Sequence, residues 1–159
     1  MGDVLHLASY GRPLAEHESA HAAVACWEYR ETPEFYLIWV TIDPDLLRPT
    51  WRGEAHYVVP HDVVRWDAEA RIALAGNAWD PDPGTYSAND VVDAKTARAI
   101  CGGGFTWFRD RQYETEQLLQ RPDIKRAVYA LSQALLNNGG TLDGVRAERI
   151  IREYLRREG

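Results

Sequence analysis

The sequence predicts a mainly α-helical fold with a small β-sheet, an α+β arrangement in one domain spanning residues 1–159. Three observations predict it. Apolar residues recur at helical spacing through most of the chain. Two short runs are instead rich in β-branched and aromatic residues, and Pro and Gly punctuate the intervals between these segments. A chain of 159 residues is long enough to bury a core without covalent staples.

In order, a first helix is predicted from Pro13 to Glu28, with Pro13 suited to a first turn and the alanines favouring helix. Glu31-Thr32-Pro33-Glu34 reads as a turn. Phe35 to Ile42 reads as a strand closed by Asp43-Pro44, and Gly53 to Val59 as a second strand ended by Pro60. Helical spacing returns from Asp62, where Gly76 ends the helix or lets it pack closely, and Asp80-Pro81-Asp82-Pro83-Gly84 is a loop. Ser87 begins another helix, which stops at Gly102-Gly103-Gly104. Helices follow over Trp107–Gln120, Asp123–Asn138 and Thr141 to about Arg157, with Thr141 as a good N-cap.

The first helix carries His17-Glu18-Ser19-Ala20-His21. Two imidazoles at i and i+4 face one way and can close on a single zinc ion, and the glutamate between them is placed to work on a metal-bound water. Chance produces roughly 0.01 such matches in a chain of this composition. The plainer account is an amphipathic helix with hydrogen-bonded or surface imidazoles. His6, His56 and His61 read as solvated or locally bonded rings.

Catalytic zinc usually holds three protein donors plus water, so the pair lacks one ligand. A metzincin would place glycine three and histidine six residues beyond the second ligand; Val24 and Trp27 occupy those positions and exclude that class. Glu28, Glu31 and Glu34 lie too near to fold back, and Glu54 and Asp43 are weak candidates. Asp90, after a flexible loop, is a better one. As the acid three residues beyond Ser87 it equally suits a capping box, and Asp93 is its rival.

Several segments, in order, resemble the peptidase domain of the FtsH family of ATP-dependent zinc proteases, over about Leu14 to Ile151. His17 through Ala25 resembles that family's zinc helix, Val40-Thr41-Ile42-Asp43-Pro44 its active-site strand, and Arg71 through Ala78 its glycine-containing helix. Ser87-Ala88-Asn89-Asp90-Val91 is similar to the segment carrying the third ligand, and Ala130 through Gly144 resembles the closing helices. The resemblance implies that His17, His21 and Asp90 are the zinc ligands and Glu18 the catalytic residue. The chain departs from the family pattern at Ala20, usually glycine, and at Asn77, Trp79 and Asp80, which replace an arginine and acidic residues. Gly102-Gly103-Gly104 is also unlike the corresponding loop.

The remaining readings concern partners. The triglycine lacks the following Lys-Ser/Thr of a phosphate cradle, so no nucleotide and no motor are expected. With a net charge of −6 and scattered basic residues, nothing forms the stripe that nucleic acid requires. No segment has the apolar length of a membrane span, and the first fourteen residues do not read as a signal peptide. Cys26 and Cys101 lack metal-ligand spacing and read as reduced core residues, so a cytoplasmic location is expected.

The expected activity is zinc-dependent hydrolysis of peptides or unfolded protein segments, with Glu18 passing a proton from water to the departing amine. The Phe35–Ile42 strand, if it lies at the sheet edge, aligns an extended peptide, with Trp39 or Tyr36 shaping a pocket; core packing accounts for those aromatics equally simply. The alternative is a non-catalytic or latent peptidase-fold module that recognises a partner protein or docks on a separate ATPase. Assembly into an oligomer stays open.

Overall fold

The computed structural model describes residues 12–43, 52–80, 95–100, 102 and 104–155. Within them the chain runs α1 (Arg12–Glu28), β1 (Tyr36–Asp43), β2 (Arg52–Val58), a 3-10 turn (His61–Val63), α2 (Trp66–Trp79), α3 (Phe105–Leu119), α4 (Pro122–Asn137), β3 (Thr141–Asp143) and α5 (Gly144–Leu155). Residues 95–100 are also helical. The described residues are mainly helical, with one antiparallel sheet in the order β2-β1-β3.

Helix α1 lies at the centre. Ala15, Ala20, Ala22, Ala23, Val24, Ala25 and Cys26 have no solvent exposure, so nearly every face of the helix is covered. A helix lined with small apolar residues all round is suited to that place, because its neighbours approach closely from several sides. It packs against α2, α4, α5 and the strands β1 and β2. Burial also pushes the Cys26 thiol well above its ordinary range, so this free cysteine behaves as a small core side chain. Cys101 lies outside the described residues.

An ionic clamp holds α2 and α3 to the end of α1. The Arg71 guanidinium donates from Nε to Glu28 at 2.5 Å and from its terminal nitrogens to Glu114 at 2.9 Å and Asp67 at 3.2 Å. Burial works against the charged arginine, but these carboxylates outweigh it and raise its pKa further. Arg65 adds a bond to the Glu28 main-chain oxygen. Glu28 is thus committed to this clamp.

The sheet differs from the sequence reading in two ways. The Phe35–Ile42 run, realised as β1, is the central strand and not an edge: β2 pairs along one side of it and β3 along the other. The third strand takes Thr141, Leu142 and Asp143, so Thr141 is not a helix cap. The last helix starts at Gly144, and the Asp143 carboxylate accepts the Arg146 N–H at 2.9 Å in its place. Both differences share a cause, which is that Leu142 enters the core opposite Val40 and both are buried.

A register shift between Leu37 and Trp39 explains how an unbroken apolar run sits in this sheet. Before it Phe35 and Leu37 face the core, and after it Val40 and Ile42 do. The extra residue switches which side chains point inward, and Trp39 is left on the outer face stacked on His56, ring centroids 4.8 Å apart. Gly144 packs against the Leu37 carbonyl, where any Cβ would collide with the main chain.

The helix predicted from Asp62 begins at Trp66, after the 3-10 turn. The start predicted at Ser87 lies outside the described residues. The helices predicted at Trp107 and Asp123 begin at Phe105 and Pro122. No described helix is long and apolar enough to cross a membrane.

Replacing Arg71 with alanine leaves Glu28, in a largely buried position, with the longer 3.4 Å contact to Arg65. Arg71→Ala is expected to lower unfolding stability in urea by about 3 kcal/mol, the cost of breaking a buried ion pair from one side. A loss below about 1 kcal/mol, the range of exposed pairs, would mean that the clamp is ornamental.

Candidate functional site

The spacing of His17 and His21 on α1 brings both rings to one side, and the neighbouring elements decide what that side is for. Both imidazoles are buried, as is Glu18 between them. Buried polar groups must find hydrogen-bond partners, and the two rings find theirs on α2 and on its C-terminal cap. His21 Nδ1 donates to the main-chain oxygen of Ile72 at 2.7 Å, and His17 Nδ1 lies 3.0 Å from the Asp80 carboxylate. A carbonyl and a carboxylate accept, so the neutral rings carry their protons on Nδ1 and their lone pairs on Nε2.

The two Nε2 atoms then face each other at 3.3 Å. Lone pairs in that arrangement repel unless a proton or a cation lies between them. Two nitrogens each about 2.0–2.1 Å from a tetrahedral zinc stand roughly 3.3 Å apart, so the observed bite is that of a chelating pair. Outer partners on Nδ1 are also the usual companions of zinc-bound histidine.

Glycine permits this closeness at two points. A Cβ on Gly76 of α2 would stand 2.6 Å from His21 Nε2 and closer still to the His17 ring. One on Gly53 of β2 would stand 2.7 Å from a Glu18 carboxylate oxygen. Helix α2 thus presses its backbone against the imidazole pair, while β2 does the same against the glutamate. The edge of β2 away from β1 pairs with no strand among the described residues.

Asp90, the expected third ligand, lies outside the described residues, as does its rival Asp93. Among the described residues no group of three or more His, Cys, Asp or Glu side chains is placed to hold a metal. Glu54 is engaged with His56 at 2.8 Å on the exposed side of β2. That contact bears out the local role expected of His56. The structure therefore brings together His17, Glu18 and His21.

Of the two readings of Gly76 the structure bears out close packing, since α2 runs on to Trp79, while the supporting roles of Ile72, Asp80 and Gly53 were missed. Asp80 did carry a signal, since it caps the C-terminal end of α2, where the helix dipole disfavours an acid. A carboxylate in that place implies a particular partner, and His17 is it. No protein-family model matches the chain, and no curated protein matches it.

Gly76→Ala separates fold from site. Alanine favours the helix by about 1 kcal/mol, yet its methyl group occupies the imidazole cradle. The variant is expected to keep its circular dichroism while zinc affinity, measured by calorimetry, falls at least about tenfold. Unchanged zinc binding would show that the ion, if bound at all, sits elsewhere.

Proposed function

We propose that this chain is a zinc-dependent peptidase acting on peptides or unfolded protein segments, with a fold of the FtsH-peptidase kind. The observation that carries the reading is the 3.3 Å separation of the two Nε2 atoms, each ring oriented through its Nδ1 by α2. His17 and His21 would hold the ion, with Asp90 as the third protein donor.

A zinc ion in this position supplies a Lewis acid that polarises the peptide carbonyl and brings the pKa of a water near 7. Glu18, buried and packed on Gly53, accepts a proton from the attacking water and returns it to the departing amine nitrogen. Asp80 keeps the His17 ring in the tautomer whose Nε2 lone pair faces inward. The outer edge of β2 takes the role first expected of the Phe35–Ile42 strand: its main-chain groups lie beside Glu18 and can align an extended peptide by strand addition. An extended partner is required for such pairing, which favours unfolded segments over folded proteins.

Casein or peptide cleavage is expected to depend on Zn²⁺ and to fall by about 10² to 10⁴ in Glu18→Gln, while that variant still binds zinc. Cleavage that survives Glu18→Gln would refute the mechanism. Asp80→Asn is expected to weaken zinc binding by about 10- to 100-fold, the usual cost of losing an outer partner of a metal-bound histidine.

A further inference from the structure

A cavity of about 400 Å³ opens beside the imidazole pair, between α1, α2, β2 and the helical residues 95–100. Glu18 and His21 form its inner side, and Tyr57, Trp66, Ile72 and Ile100 supply apolar walls. We propose that this cavity receives one side chain of the substrate next to the scissile bond, and that Glu69 within it selects lysine or arginine. The inference rests on the peptidase reading and deepens it by naming the substrate class.

Glu69 is the reason. Its carboxylate accepts a hydrogen bond from the Tyr57 hydroxyl at 2.8 Å. A phenol on β2 thus fixes its position without supplying a charge to match it. Arg65 attracts it, but the Arg65 guanidinium is bonded to Glu28 and lies over the Tyr29 ring, and among the described residues Glu69 forms no ion pair. Among the described residues no lysine or arginine lines the cavity. Burial pushes the Glu69 carboxyl above its ordinary range despite the Tyr57 bond, so a cation brought by the substrate would favour its charged form.

An acidic side chain in this cavity would face Glu18, Glu54 and Glu69. An aliphatic one would remove water from Glu69 and return nothing. A lysine or arginine covers the apolar walls with its methylene stem and presents its charge to the carboxylate. Trp66 is 60 % exposed and offers a ring face to a guanidinium as it enters.

The test uses fluorescent hexapeptides identical except for one central residue, arginine, norleucine or glutamate. Each is measured for cleavage site and rate with Zn²⁺, and for equilibrium binding to the zinc-free protein. The arginine peptide is expected to bind about tenfold more tightly than the norleucine peptide, a difference of about 1.4 kcal/mol, with the glutamate peptide weakest. Cleavage is expected at the arginine. Glu69→Gln, checked for folding by circular dichroism, should bring arginine and norleucine together, and Trp66→Ala, at an exposed position, should weaken the arginine peptide severalfold.

Equal or tighter binding of norleucine by the wild-type protein overturns the proposal without any variant. Arginine preference in binding with no cleavage of any peptide keeps the pocket and removes the peptidase reading. Efficient cleavage with no preference does the reverse.

Discussion

Three titratable side chains inside α1, a helix covered on nearly every face, are the constraint around which the rest is arranged. Withdrawing imidazole and carboxylate groups from water costs free energy unless their hydrogen-bonding atoms are met. In α1 the outward Nδ1 atoms are met by Ile72 and Asp80, both from α2. Meeting those atoms turns both Nε2 atoms toward one another. Stability and a potential ligand geometry therefore have the same source: the partners that make burial tolerable are the ones that set the ring orientation.

That arrangement requires close approach, and the chain achieves it by small residues and one large charged one. Alanines along α1 and glycines at 53 and 76 bring backbone within reach of the polar groups. Closeness alone does not fix α2 along its own axis. The Arg71 cluster, joining the end of α1 to α2 and α3, does so near one end of α2, and the Asp80 contact does so at the other. Ile72 and Gly76 lie between these fixed points, at the height of the imidazoles.

Much of this was legible in the sequence. Helical spacing located the helices that begin at Arg12, Trp66, Phe105, Pro122 and Gly144 to within a few residues, and the pairing of His17 with His21 follows from helix geometry alone. The third strand was not legible, because three residues between Gly140 and Gly144 carry no period, and Thr141 is as good a cap as it is a strand residue. The centrality of β1 was hidden by its uniform hydrophobicity, which conceals the bulge at Leu37 and leaves two faces indistinguishable. The supporting shell was hidden for a different reason. Asp80 reaches His17 across 63 residues of sequence, and the Glu69 carboxylate is held by Tyr57 on β2. Spacing rules see neighbours along the chain, whereas these are neighbours only after packing.

The two flanks of β1 end differently. On the flank that carries β3, pairing stops at Trp39, and beyond it the Leu37 N–H is taken by the Glu148 carboxylate at 3.0 Å while Gly144 seals the Leu37 carbonyl. An acid and the root of a helix thus plug the main-chain groups that would otherwise invite another chain to add on. Those main-chain groups of β1 are thus closed to a further strand, while the outer edge of β2, beside Glu18, pairs with no strand among the described residues.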